Sequence, residues 1–321
     1  MKERLDYIDK ARGILIILMV IGHVWQSGPV FDVIYAFHMP AFFIISGILM
    51  QHTKSCEKPF GKFLTGKILA YGIPFLWIEC LGVLTDILRN GVTLNIKGYL
   101  FNTLICQFND PNLWFLETLF LIEILVALLV KYVSKEKWIC GAAVAAFFLR
   151  YALPTHVRYV SDISTVLKYL PLFLAGFFGH RLWKKDHLPA AVLCALATLA
   201  CGLLDGRIHA MGTLWDDFAY LFSGCCGTYA VLCLSRMTMD AAVGKVLSWA
   251  GQNTILIFGT HHIYYAALGE LLNIKDFAST PIGTGLLILA CVALLEIPTV
   301  YVINRWLPFL AGKFRRKTSA A

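Results

Sequence analysis

The chain has 321 residues, of which 58% are hydrophobic and only 15% are charged. Soluble domains carry about 25% charged residues, so this composition excludes an ordinary soluble globular protein. The mean hydropathy of +0.69 indicates instead a chain that crosses a lipid bilayer. The formal net charge of +8 is then expected to arise from loops at the membrane surface, and nucleic acid is not an expected partner.

Apolar segments long enough to cross a bilayer recur along the whole chain. We predict ten of them, at residues 11–27, 32–51, 67–88, 112–132, 138–154, 162–183, 188–205, 214–236, 246–271 and 280–308. The connections between these segments are too short to hold a second soluble domain. The sequence therefore predicts an all-α polytopic membrane protein, a bundle of about ten transmembrane helices in which residues 1–321 form one integral-membrane domain.

Lys and Arg residues alternate in density from loop to loop. They are frequent before the first segment, after the second, fourth, sixth and eighth segments, and after the tenth, and they are sparse in the loops between. Cytoplasmic loops of membrane proteins carry the excess of Lys and Arg. We therefore expect a multi-pass protein of the cytoplasmic membrane with both termini in the cytoplasm.

The first segment contains two ionisable residues, Arg12 and His23, in an otherwise apolar run. Their separation on a helix is about 16 Å of rise and three full turns plus about 20°, so the two side chains share one face. Ionisable groups inside a bilayer are costly and tend to mark sites or pathways. The structural alternative is that His23 bonds a neighbouring helix and that Arg12 anchors the membrane surface.

Further polar residues lie inside other segments. His261 and His23 are about fifteen and twelve residues into outward-running segments, so they are candidates for one pocket. His38, Glu117 and Lys168 lie one to two turns inside the outer ends of their segments. They form either a polar vestibule for an acceptor or a set of solvated helix ends, and the sequence leaves both interpretations open.

Three glutamates lie deeper, at positions 79, 123 and 296. Buried carboxylates in a bilayer need hydrogen-bonding or charged partners. These residues are therefore candidates for buried hydrogen-bond partners, although the sequence does not pair them.

Four motifs, in order along the chain, resemble those of the membrane-bound acyltransferase 3 family. Arg12 and His23 match its R-x10-H pattern on the first helix. The second helix matches its F-F-x-x-S-G pattern, which we interpret as a structural motif, through Phe42, Phe43, Ser46 and Gly47. In membranes, small residues such as these allow two helices to approach closely.

The other two motifs lie further along the chain. Residues 113–116 resemble the W-F-L stretch of the family, and residues 251–261, which include Asn253 and end at His261, resemble its G-K-N-[ST]…H segment. The similarity extends over most of the chain and is greatest to the short members that acetylate sugars.

The resemblance implies an integral-membrane O-acyltransferase. Such an enzyme moves an acyl group, in this case acetyl, from cytoplasmic acetyl-CoA to a hydroxyl of a glycan or a lipid-linked sugar, as in polysaccharide O-acetylation. No metal is implied. Because a thioester is already activated, the protein has to position it, deprotonate a hydroxyl and stabilise an oxyanion.

The site residues follow from this chemistry. His23 is the expected general base, with His261 and Glu117 as further catalytic candidates. The substrate-binding candidates on the acceptor side are His38 and Lys168.

Arg12 is expected to hold a CoA phosphate through its bidentate guanidinium. The family usually places arginines before a proline at the start of the third helix, where this chain has Lys62 and Lys67 before Pro74. These lysines are candidates for CoA binding, but lysine offers a point charge without the fork of arginine.

Two other classes of protein compete with this hypothesis. A multi-pass transporter or flippase also uses buried His, Glu and Lys residues as a substrate or proton path. Transporters of this kind often show two similar halves or paired broken helices, and we see neither in the sequence. A membrane scaffold does not explain an Arg and a His aligned on one helix face.

Overall fold

The computed structural model describes residues 5–90, 113–133, 135–152, 163–204, 213–237, 241–274, 277 and 280–313. Most of these residues are helical, and there is no strand among them. The first helices are α1 (Asp6–Val24), α2 (Pro29–Tyr35), α3 (His38–His52), α4 (Phe60–Lys67), α5 (Ile73–Asn90), α6 (Trp114–Tyr132) and α7 (Glu136–Ala152). The others are α8 (Ile163–Phe178), α9 (Leu188–Leu204), α10 (Leu214–Arg236), α11 (Ala241–Gln252), α12 (Thr254–Leu271) and α13 (Ile282–Trp306).

Several of these helices have the length and composition to cross a bilayer. Within the described part of the chain, four stretches qualify: Pro29–His52, Phe60–Thr85, Leu214–Arg236 and Ile282–Trp306. Two shorter helices, α8 and α9, are also apolar. Large apolar side chains, Leu193 and Leu294 among them, are exposed on the outside of the bundle, as expected for a surface in contact with lipid. The predicted fold class, an all-α membrane protein, is confirmed.

The predicted segment bounds differ from the helices at two functionally important places. α1 ends at Val24 rather than at residue 27, so His23 lies in the last turn of its helix. The ninth segment, predicted as continuous, divides at Asn253, which has φ −113° and ψ 17°. The Asn253 amide donates to the Trp249 carbonyl at 2.8 Å and accepts from Asn304 at 2.8 Å. A side chain that satisfies polar groups in this way stabilises a helix break.

The third segment also contains an irregularity. A turn of π-helix, Ile68–Gly72, joins α4 to α5. π-Turns widen a helix by one residue and are frequent at functional sites. Here the turn carries Tyr71, which lines a cavity inside the bundle.

The core of the bundle is centred on α3, which packs against α8 and α10, while α1 packs against α11. Most residues of α3 are buried, including the consecutive run from Pro40 to Ile45. At Gly47, a Cβ atom would meet the backbone of Phe173 and Phe177, and at Gly176 one would meet the carbonyl of Ile44. Glycine therefore sets the separation of α3 and α8, as small residues do between membrane helices.

This packing predicts the effect of adding a single methyl group. Gly47→Ala forces α3 away from the backbone of α8, and overpacking of this kind costs about 1–3 kcal/mol. We expect a lower thermal unfolding temperature in detergent for this variant. Gly141→Ala on α7 is the matched control, because nothing lies within 4 Å of a Cβ at that position. Equal stability of the two variants would contradict the close approach of α3 and α8.

Candidate active site

A cavity of about 360 Å³ lies between α1, α3, α6 and α12. α1 contributes Arg12, Ile16 and Met19, whose spacing of three and four residues places them on one helix face. The rest of the lining is largely apolar and includes Phe42 and Phe115. The lining also contains polar side chains from several elements: Arg12, Ser46, Thr53, Ser55, Lys58, Lys67, Tyr71, Glu123 and Thr254.

The lining of the cavity contains more cationic than anionic side chains. Lys67 Nζ lies 2.7 Å from Glu123 Oε2 and 5.4 Å from the centre of the Tyr71 ring. Glu123 is the one carboxylate among the described lining residues, whereas Arg12, Lys58 and Lys67 are three cations. The cavity therefore has an excess of positive charge, which attracts anionic ligands such as phosphates.

Two histidines meet one helical turn beyond this cavity. His23 follows the lining residue Met19 by four positions, and His261 follows the lining residue Phe258 by three. Their ring centres lie 5.0 Å apart with the planes inclined by 50°. Their similar expected depths made His23 and His261 candidates for one pocket. The structure brings these two residues together.

The two rings differ in accessibility. His23 is partly exposed, whereas His261 has 0% of its surface exposed. The Nδ1 atom of His261 lies 2.9 Å from the Ile257 carbonyl, which can only accept, so Nδ1 carries the proton. Nε2 then holds the lone pair of the neutral imidazole. Among the described residues, this buried Nε2 atom has no hydrogen-bond partner. It is therefore available to accept a hydrogen bond next to His23.

A tyrosine fixes the position of the histidine pair. The hydroxyl of Tyr265, on α12, donates to the carbonyl of Val20, on α1, at 2.5 Å. The Tyr265 ring lies 6.4 Å from that of His23 and 5.8 Å from that of His261. This contact ties the last turns of α1 to the middle of α12, so it holds the two imidazoles in register.

A second tyrosine connects the pair to His38. The ring of Tyr35 lies 6.4 Å from His23 and 4.7 Å from His38. His38 is buried, and its Nδ1 atom donates to the Ile34 carbonyl at 2.8 Å. Gly22 makes room for Tyr35, because a Cβ at that position would lie 2.8 Å from the tyrosine ring. His38 is thus one aromatic ring away from the histidine pair.

The remaining candidates occupy different places. Lys62, an expected donor-binding residue, is exposed on α4 and does not line the cavity. Lys58, which was not among the candidates, does line it. Glu117 lies in the first turn of α6, and its buried Oε2 atom has no hydrogen-bond partner within the described part of the chain. Neither Lys62 nor Glu117 is among the described residues that line the cavity.

Lys168 belongs to a separate buried ion cluster. Its Nζ atom lies 3.1 Å from Asp217 Oδ1 and 4.4 Å from the centre of the Tyr220 ring. Asp217 also pairs with Arg150 and accepts a hydrogen bond from Tyr151. The Lys168 ammonium is therefore engaged in joining α8 to α7 and α10.

Sequence reasoning missed several residues around the site. Tyr35 and Tyr265 carry no signal in the sequence, because apolar helices contain many tyrosines that only pack. Lys58 is one of several lysines in a basic loop, and only the position of the turn after α3 singles it out. Glu123 was noted as a buried carboxylate, but its partner, Lys67, is visible only in the structure.

Comparison with known proteins decides the family. A family model described as an acyltransferase domain, that of acyltransferase 3, matches residues 5–296. The chain belongs to the acyltransferase 3 family. It is similar to the nodulation protein NolL of Mesorhizobium japonicum, with 26% identity over 308 residues, covering 84% of this chain and 78% of that protein. A second NolL, from Sinorhizobium fredii, is 28% identical over 186 residues, covering 53% of this chain and 47% of that protein. No solved structure matches the chain.

Membership of this family confirms the resemblance found in the motifs. As a member of the acyltransferase 3 family, this protein is an acyltransferase. Its long apolar helices make it a membrane acyltransferase. This finding favours an acyltransferase over the competing hypothesis of a transporter or flippase.

The Lys67–Glu123 pair predicts a specific pattern of stability. Lys67→Met leaves a carboxylate that is 4% exposed without its cation, and breaking a buried pair in this way costs about 3 kcal/mol or more. The double variant Lys67→Met/Glu123→Gln removes the unpaired charge and is expected to recover most of the loss, as measured by thermal unfolding in detergent.

The matched control is Lys54→Met. Lys54 pairs with Glu57, but their side chains are 59% and 65% exposed, and an exposed pair contributes less than about 1 kcal/mol. A loss of stability as large as that of Lys67→Met would show that burial of the Lys67–Glu123 pair is not the cause.

Proposed function

We propose that this acyltransferase moves an acetyl group from cytoplasmic acetyl-CoA to a hydroxyl of a glycan or a lipid-linked sugar. The observation that carries the proposal is the path along one face of α1. A positively charged cavity begins at Arg12, continues past apolar side chains, and leads towards two histidines whose rings lie 5.0 Å apart. A charged head, an elongated arm and a thioester end are the three parts of acyl-CoA.

The donor is expected to enter with its phosphates at Arg12. Guanidinium binds phosphate through two parallel hydrogen bonds, and Lys58 adds a second positive charge in the lining. Lys67 contributes less, because Glu123 neutralises part of its charge. The pantetheine arm then extends past Ile16 and Met19, and the thioester reaches His23 after about 16 Å of helix rise from Arg12.

The histidines supply the proton transfer. His23, the partly exposed ring, takes the proton of the acceptor hydroxyl while the hydroxyl oxygen attacks the thioester carbonyl. CoA leaves as its thiol after accepting a proton. The enclosed His261 offers its Nε2 lone pair to the protonated His23 ring, which orients that ring and stabilises its charge. In this division of roles His23 is the base, and His261 supports it.

The acceptor is expected to approach from the side opposite to the donor. Tyr35 and His38 extend the row of aromatic and imidazole rings beyond His23, so they are the proposed contacts for a sugar. Lys168 is paired with Asp217 in a separate ion cluster, so we expect it to contribute less to acceptor binding than Tyr35 and His38. The distribution of Lys and Arg supports a location in the cytoplasmic membrane with both termini and the donor entrance in the cytoplasm.

The donor assignment predicts a graded effect at Arg12. Arg12→Ala is expected to weaken acetyl-CoA binding by roughly 10- to 100-fold, because hydrogen bonds to charged groups contribute about 1.5–3 kcal/mol. Arg12→Lys should recover part of the affinity, since a point charge replaces the fork. Isothermal titration calorimetry on the purified protein measures both.

Lys62→Ala provides the control for the loss of one positive charge. It removes a cation on the exposed face of α4, outside the cavity lining, and should leave the dissociation constant nearly unchanged. An unchanged affinity for acetyl-CoA in both Arg12 variants would contradict phosphate binding by Arg12 and would indicate that it only anchors α1 at the membrane surface.

The chemical assignment predicts that His23→Gln binds acetyl-CoA normally but transfers the acetyl group about 10²–10⁴-fold more slowly, the usual contribution of positioned proton transfer. Glutamine preserves hydrogen bonding but cannot accept the proton. His261→Gln should slow transfer less. Single-turnover release of CoA from acetyl-CoA, combined with calorimetric binding, separates chemistry from affinity.

His262→Gln is the matched control, because His262 is adjacent to His261 in sequence but points about 100° away around the helix. It should retain near-normal transfer. Near-normal transfer by His23→Gln would instead place the base at His261 or Glu117.

A further inference from the structure

A second cavity, of about 600 Å³, lies between the packed helix pairs α7–α8 and α9–α10. Its lining includes Val144 and Phe222, whose side chains are 52% and 56% exposed. The cavity therefore opens to the outside of the bundle, where a membrane protein meets the hydrocarbon of the bilayer. We call it the outer groove.

Small side chains and a proline create the outer groove. Ala143, Ala175 and Cys226 line it at positions where larger apolar residues would close the gap between the helix pairs. Pro171 lies within α8, also in the lining. From Pro171 to Phe178 the groove follows α8 for about 10 Å. An apolar space of this kind does not hold water, and a hydrocarbon chain has the shape and the chemistry to fill it.

One end of the outer groove has the character of a membrane interface. Trp183 and Tyr229 line this end. The Trp183 indole donates to the Ala175 carbonyl at 2.8 Å, and the Tyr229 hydroxyl donates to the Lys185 carbonyl at 3.0 Å. Tryptophan and tyrosine are enriched where hydrocarbon meets headgroups. The groove thus runs from the hydrocarbon towards the headgroup level.

Positive charge surrounds this same end. Arg181, Lys184 and Lys185 are exposed in the turn that carries Trp183. The nearby acid, Asp186, pairs with Arg236 at 2.6 Å and so does not offset these three cations. Exposed basic residues at the end of an apolar groove complement a lipid with a negatively charged headgroup.

We propose that the outer groove binds an anionic phospholipid of the surrounding bilayer. One acyl chain lies along α8 between the two helix pairs, and Lys184 and Lys185 hold the headgroup phosphate. This site is separate from the charged cavity at Arg12 and does not depend on the acyl-transfer mechanism.

Native mass spectrometry of the full-length purified protein tests the proposal with two lipids of identical chains, phosphatidylglycerol and phosphatidylcholine. We expect one bound phosphatidylglycerol, with about tenfold preference over phosphatidylcholine. Lys184→Gln/Lys185→Gln should weaken phosphatidylglycerol binding by about 30-fold, because each basic residue near anionic lipid contributes about fivefold. Val144→Trp, which fills the groove from its lipid-facing side, should weaken both lipids.

The controls carry equal changes elsewhere. Leu149→Trp adds the same ring to another exposed position of α7, and Lys245→Gln/Arg305→Gln removes two exposed charges outside the groove; both should bind phosphatidylglycerol as the unmodified protein does. Equal binding of the two lipids, an unaltered affinity in Val144→Trp, or competition by glycerol phosphate as strong as by the whole lipid would each overturn the proposal.

Discussion

Ionisable groups are expensive inside an apolar helix bundle, and the arrangement of this protein follows from how each of them is satisfied. Lys67 pairs with Glu123, and Lys168 and Arg150 share Asp217. Another buried carboxylate, Glu296, accepts a hydrogen bond from the hydroxyl of Thr260 at 2.8 Å. These contacts join α4 to α6, α8 to α7 and α10, and α12 to α13, so the requirement to satisfy charge also fixes which helices are neighbours.

Against this background the histidine pair stands out. An imidazole can remain neutral, so burying its second nitrogen without a partner costs less than burying an unpaired charge. His261 uses one nitrogen for the Ile257 carbonyl and leaves the other available next to His23. The surroundings hold both rings in place through Tyr265 and the Val20 carbonyl. In the mechanism that we propose, this nitrogen accepts a hydrogen bond from the protonated His23 ring.

The substitution of lysine for the arginines that the family usually has on its third helix gains a physical meaning from the fold. The π-turn after α4 brings Tyr71 into the cavity wall beside Lys67, and Glu123 completes the group from α6. A lysine in this position serves an ion pair within the protein as well as the charge of the cavity. Under the function that we propose, recognition of the donor phosphates depends more on Arg12, which lies on the same helix as His23.

The sequence alone determined the fold class and the family, and it singled out His23 and His261 as candidates for one pocket. Hydropathy, residue spacing on a helix and local motifs are properties of short stretches, so they can be read without the tertiary structure. Arg12 and His23 share a helix face whatever the rest of the chain does. It did not determine which helices lie side by side, since apolar helix surfaces resemble one another. The tertiary structure decided that Lys67 rather than Lys62 lines the cavity, that Lys168 is paired with Asp217, and that Asn253 divides the ninth segment. Each of these depends on contacts between residues distant in the chain, where the partner of a polar group is chosen by packing and not by sequence separation.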